Sequence, residues 1–174
     1  MSLWVHQLPR PINTASQDTF LSVCQNAKKP RNQAVSGLIV HEVYAPIWKK
    51  YVRATPEEYV RQRTIQFLID YLGVPQDRII VERTLSRLGV EWDRRRIDIR
   101  IPYQEGETTA VVECKESIVG DHEAACVQAQ DYSQALHVKF FFVTDGMTFK
   151  GYRFKMMSFL QLEDIPHYEE WGLI

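Results

Sequence analysis

The sequence predicts an α/β domain built on a mixed sheet. Three observations lead there. One segment opens on a helix-capping signal and continues at helical spacing. The next three segments are short and strand-like, one of them strictly alternating. A second helical stripe then precedes two more strand-length apolar segments.

In chain order, residues 1–44 form a polar, basic N-terminal extension, with Pro9, Pro11, Lys28, Lys29, Pro30 and Arg31. Phe20, Leu21, Val23 and Cys24 mark a short helix within it, over about 16–27. Ile47 to Arg53 reads as a strand. Thr55-Pro56-Glu57-Glu58 starts the first main helix: Thr55 caps, Pro56 suits the first helical position, and Glu58 completes a capping box. Val60, Thr64, Phe67, Leu68, Tyr71 and Leu72 continue it until Gly73 and Pro75 stop it, giving a helix over 56–72. Ile79–Leu85 is a strand. Arg95–Ile101 alternates, with Ile97, Ile99 and Ile101 on one face. Gln104–Glu107 is a turn, and Thr108–Lys115 is a central strand, apolar on both faces around Val111 and Val112. A helix over 121–136 carries Ala125, Ala129, Tyr132 and Leu136 in one stripe. Val138–Thr144 is a buried strand, Asp145-Gly146 turns the chain, and Lys150–Met156 pairs back. Residues 45–157 are therefore the core, and 158–174 an acidic tail packed on or near it.

The bulk properties bound the function. A chain of 174 residues, 45% hydrophobic and 25% charged, is one soluble domain with room for a core. The three cysteines, Cys24, Cys114 and Cys126, form neither a CxxC pair nor a closed disulfide set, which fits reduced thiols and a cytoplasmic location. No secretory leader or membrane-length apolar run is present, so no membrane partner is expected. The formal net charge of −1 speaks against a nucleic-acid binder, but residues 1–100 hold 16 Lys+Arg against 10 Asp+Glu, and residues 101–174 hold 5 against 12. That asymmetry points to an electrostatic partner on the basic side, unless the fold interleaves the two halves.

Chemistry gathers around the alternating strand. Asp98 sits mid-strand, where a carboxylate suits a sheet poorly. Glu113 and Lys115, two apart on the next strand, project from one face. A hairpin between these strands brings both carboxylates beside an ammonium. Metal-assisted phosphodiester cleavage needs such a set: carboxylates hold Mg²⁺ with its waters, and lysine stabilises charge on phosphate. A simple ion pair on a sheet face accounts for Glu113 and Lys115 equally well.

Four motifs carry a family resemblance. Ile97-Asp98 followed by Val112-Glu113-Cys114-Lys115 resembles the PD-(D/E)XK nuclease signature, with Ile97 in place of its proline. Thr55-Pro56-Glu57-Glu58-Tyr59-Val60-Arg61-Gln62 resembles the PEE-x-VRQ helix start of the type I restriction enzyme R-subunit N-terminal domain. Gln128-Ala129-Gln130-Asp131-Tyr132 resembles the Q-x-x-x-Y motif of that group, and Thr144-Asp145-Gly146 its T-[N/D]-G turn. The resemblance spans roughly residues 45–155 and implies an α-β-β-β-α-β nuclease core. It implies metal binding by Asp98, Glu113 and Glu58, with Glu57 as the alternative helix acid. Mg²⁺ is the implied cofactor, with Mn²⁺ as a substitute. It also implies catalytic roles for Lys115, Glu113, Asp98, Gln128 and Tyr132. DNA is the implied partner, together with motor, methylation and specificity subunits of a restriction complex.

Arg94, Arg95, Arg96 and Arg100, with Gln62 on the first helix, are the candidate nucleic-acid contacts, because guanidinium groups bind phosphate in bidentate fashion. A solvated strand face is the bland alternative for these arginines. No G-x-x-x-x-G-K-[ST] occurs, so this chain carries no ATP site. The expected protein is a Mg²⁺-dependent endonuclease domain without its motor, excised or standalone. The rival is an inactive nuclease-fold module for DNA binding or protein interaction.

Overall fold

A computed structural model describes residues 30–35, 38–91, 93–103, 108–116 and 122–173. The helix expected over 16–27 and the turn at 104–107 lie outside the described residues. Two sheets and two long helices make up the rest. Strands β1 (Arg31–Val35), β2 (Leu38–Ala45) and β3 (Lys50–Arg53) form an antiparallel three-stranded sheet. The boundary drawn at 44/45 falls inside β2. This sheet buries only Val43 and Ala45 among its described side chains, and residues 31–34 of β1 are exposed.

Helix α1 (Pro56–Asp70) begins as its capping box demands. The Thr55 hydroxyl accepts the Glu58 N–H at 3.1 Å, and Pro56 occupies the first turn, where its missing N–H costs nothing. The helix ends because Gly73 takes a left-handed φ of 72°, which lets the Val74 N–H close on the Leu68 carbonyl at 2.9 Å.

The main sheet runs β4 (Ile80–Thr84), β5 (Arg96–Pro102), β6 (Thr108–Cys114), β7 (Phe140–Thr144), β8 (Phe149–Lys155) and β9 (Ser158–Gln161), in that spatial order. Every pairing is antiparallel except β6 with β7, which run parallel. A parallel pair needs a crossover, and α2 (His122–Ala135) supplies it. Asp145 makes the β7–β8 turn: its Oδ1 accepts the N–H groups of Met147 (2.8 Å) and Thr148 (2.7 Å).

Alternation sorts the two faces. Ile99, Ile101, Val112, Phe140 and Phe142 pack under α1, with Phe67, Leu68, Phe149 and Trp171. Val111, Phe141 and Val143 pack under α2, with Ala125, Ala129 and Tyr132. Ile97 departs from the expected single isoleucine face and joins Leu85 and Val111 on the α2 side. Between Ile97 and Ile99 the β4–β5 ladder is interrupted opposite Asp98, where Glu82 has a left-handed φ of 52°. The segment beyond 157 adds β9 and then drives Ile165 and Trp171 into the α1-side core.

Candidate active site at the end of strand β6

The β5–β6 register pairs Ile99 with Val112 and Arg100 with Val111. One further step brings Asp98 to the neighbourhood of Glu113, at the end of the sheet where Arg61 of α1 reaches Asp98 and Lys115 reaches Glu113. The two carboxylates line an open pocket of ≈ 440 Å³, together with Glu57, Arg61, Glu82, Arg95, Arg96, Lys115, Gln128 and Tyr132. Four acids thus meet four cations in one cavity.

One hydrogen-bonded run crosses it. Lys115 Nζ donates to Glu113 Oε1 at 2.7 Å and to Gln128 Oε1 at 3.1 Å. Gln128 Nε2 donates to the Tyr132 hydroxyl at 2.7 Å. Gln128 and Tyr132 are four apart, so one helical face presents both. Arg95 closes the run, its guanidinium carbon 5.2 Å from the centre of the Tyr132 ring, while Asp93 holds it at 2.7 Å. This spacing explains why a glutamine suits position 128. Its carbonyl oxygen accepts from the ammonium while its amide nitrogen donates to the phenol.

Burial sets the charge states. Desolvation and then the neighbouring Asp98 charge raise the Glu113 carboxyl to about 7, against the pull of Lys115. Asp98 is raised too, by burial, although Arg61 and the Cys114 N–H hold it down. That N–H donates to Asp98 Oδ2 at 2.8 Å. Burial lowers the Lys115 ammonium, but Glu113 outweighs it and the net shift is upward.

Two carboxylates fit a hard divalent ion. Glu113 Oε2 is buried with no hydrogen-bond partner among the described residues, so one oxygen in the pocket is left for a ligand. No group of three or more His, Cys, Asp or Glu side chains poised for a metal occurs among the described residues. An ion held by Asp98 and Glu113 would need its remaining ligands from water, as Mg²⁺ commonly does.

Three sequence expectations change here. Of the two helix acids, Glu57 lines the pocket. Glu58 instead points inward, where it accepts from Gln62 and from Arg61. Gln62 is only 4% exposed and engaged with Glu58, so it cannot present itself to DNA as expected. Among the arginines, Arg95 and Arg96 reach the pocket rim, while Arg94 is exposed away from it. Arg100 is half-buried outside the pocket, its guanidinium pKa lowered by burial and by Arg83.

Two residues went unread. Arg61 is 4% exposed, and its two terminal nitrogens reach four carboxylates: Glu57 (2.6 Å), Asp98 (2.9 Å), Glu82 (3.2 Å) and Glu58. Its guanidinium pKa is raised, because Asp98 and Glu58 outweigh the downward pull of burial. Glu82, opposite Asp98 in the adjoining strand, also contacts Arg96 at 3.6 Å. The signal for Arg61 was its place three and four residues after two glutamates.

Residues 56–166 match the family described as the type I restriction enzyme R protein N terminus. No curated protein and no solved structure matches the chain. No helix among the described residues is long and apolar enough to cross a membrane.

Proposed function

Because the chain belongs to the type I restriction enzyme R protein N-terminal family, we propose that its pocket is the cleavage site of a Mg²⁺-dependent DNA endonuclease with a PD-(D/E)XK core. The observation that carries this reading is the run Glu113–Lys115–Gln128–Tyr132, set in one pocket with Asp98. A purely structural ion pair would not need the glutamine relay, nor leave a buried carboxylate oxygen unpartnered.

Asp98 and Glu113 would hold the metal, which supplies Lewis acidity toward the scissile phosphate and a water of lowered pKa. The protein's own groups do the rest. Glu113 and Gln128 fix the Lys115 ammonium from two sides, so it meets developing negative charge without reorganising. Tyr132 fixes the rotamer of Gln128. The Cys114 N–H orients Asp98. Arg95 and Arg96 stand at the rim, where phosphates on either side of the scissile bond would lie. The reading extends to a cytoplasmic restriction complex, with motor, methylation and specificity subunits as partners.

The test is divalent-dependent nicking of plasmid DNA. Lys115→Ala should slow cleavage by about 100- to 1,000-fold, the usual loss for one electrostatic donor. Asp98→Ala should do the same through the metal. Equal cleavage by wild type and both variants would sink the assignment.

One observation favours the rival reading, an inactive module for DNA or protein binding: Asp98 is already paired with Arg61. Under that reading no Mn²⁺ site sensitive to Asp98 exists.

A further inference from the structure

The start of α1 forms a single polar unit, and its centre is a cation. Arg61 Nη1 is anchored inward, to Glu58 and to Glu82. Glu58 is itself held by the Gln62 amide on its other oxygen. Arg61 Nη2 points the other way and bridges Glu57 and Asp98, both of which line the pocket. That nitrogen therefore sits between two carboxylates, where a metal ion would also be drawn. With Cys114 N–H on Asp98 Oδ2 and Arg61 on Oδ1, both Asp98 oxygens are engaged by the protein.

We propose that Arg61 is a built-in counter-cation that competes with the divalent metal for Asp98 and so sets the metal affinity of the pocket. The inference rests on the metal reading of the site given above. Three features support it. Arg61 is too buried to be a DNA contact, so its charge acts within the protein. A guanidinium remains protonated at any working pH, so it can leave Asp98 only by moving. And a place to move to is at hand: Glu82, at 3.2 Å, is a longer and looser partner than Asp98. Glu82 stands on a left-handed backbone, a conformation that strains a non-glycine residue. Such outliers concentrate where the surrounding structure needs a side chain aimed in one direction. Here that direction is toward Arg61 and Arg96. When a dication enters, Arg61 shifts its bonding from Asp98 toward Glu82 and Glu58. Arg61 is in this sense a positioning residue, acting through Asp98.

The whole chain is titrated with Mn²⁺, read by calorimetry or by the loss of the free-ion paramagnetic resonance signal. Without the guanidinium, Arg61→Gln should bind Mn²⁺ about tenfold more tightly or better, because a like charge a few ångströms from the ion is gone. Glu82→Gln, which removes the alternative partner, should bind Mn²⁺ several-fold more weakly. Asp98→Asn should abolish the binding in the wild-type and Arg61→Gln backgrounds alike. If Arg61→Gln keeps its circular dichroism and binds Mn²⁺ no more tightly than wild type, with Asp98-sensitive binding in both, the competition is refuted and the metal site stands. If neither protein binds Mn²⁺, or Asp98→Asn binds as well as wild type, the metal reading falls and the competition with it. Should Arg61→Gln not fold, Arg61→Met replaces it. It keeps an unbranched stem, removes the charge and should likewise tighten Mn²⁺; unchanged or weaker binding would again refute the competition.

Discussion

The two sides of the main sheet bury side chains in opposite ways. Under α1, Phe67, Phe140, Phe142, Phe149 and Trp171 form an aromatic core with ring centroids 5.1–6.3 Å apart. At the end of β6, Arg61, Asp98 and Glu113 are almost as far from water, yet each is charged or poised to be. Burying an aromatic ring stabilises by about 1.5–3 kcal/mol. Burying ions roughly breaks even at best, and removing one partner costs about 3–5 kcal/mol. The first region is assembled for stability. The second is tolerated because the first is strong, and the proposed dication and phosphate would account for so costly a cluster of charge.

Variants can pull the two regions apart. Phe142→Ala empties the centre of the aromatic core, where the side chain is fully buried. It should cost about 3–5 kcal/mol of unfolding free energy in a denaturant melt, and leave the cleavage chemistry of the folded fraction unchanged.

The polar region should announce itself through pH. Glu113 has a folded pKa of about 7 against an ordinary 4.5, so between these values the folded state binds more protons than the unfolded state. Stability contributed by the protonated form is present below about pH 4.5 and lost as pH rises through 7. The expected loss is roughly 3–4 kcal/mol, at about 1.4 kcal/mol per pKa unit. Glu113→Gln should flatten that part of the stability–pH curve; an unchanged slope would mean that Glu113 is ionised in the fold.

The smallest expected effect lies where the regions touch. Tyr132 packs in the α2-side core and also holds Gln128. Tyr132→Phe keeps the packing and loses one hydrogen bond, worth about 1 kcal/mol. Cleavage should fall several-fold while the melting temperature moves by a few degrees at most. A collapse in stability instead would make the phenol part of the scaffold.

Much of this was legible in the sequence. The first helix was expected at 56–72 and spans Pro56–Asp70; the alternating strand and the central strand fell within about a residue of their places. Those elements advertise themselves by caps and by apolar period. The strands Arg31–Val35 and Ser158–Gln161 do not. They are short, largely exposed and polar, so neither shows an alternating apolar face. In the site, Asp98, Glu113, Lys115, Gln128 and Tyr132 were placed from spacing and motif, and one pocket holds all five. The role of Arg61, though the residue stands in the helix-start motif, was hidden for a physical reason. An arginine one turn after two glutamates reads as a solvated helix pair, and only the arrival of β4 and β5 turns that pair into a cluster of four carboxylates around a buried guanidinium. Glu82 was hidden because a left-handed residue inside a strand leaves no mark on apolar period.

The far end of the chain has a practical meaning for anyone who shortens this protein. Trp171 packs against Phe140 and Phe142, its indole N–H bonded to the Pro166 carbonyl, and its own carbonyl accepts Lys139 Nζ at 2.9 Å. Ile165 and Trp171, flanked by Leu162 and Tyr168, are thus a wall of the aromatic core, and Lys139, at the foot of β7, is the hinge-pin that fastens the wall. A fragment trimmed after position 157 keeps every motif that identifies the family's chemistry and discards a side of the house those motifs stand in.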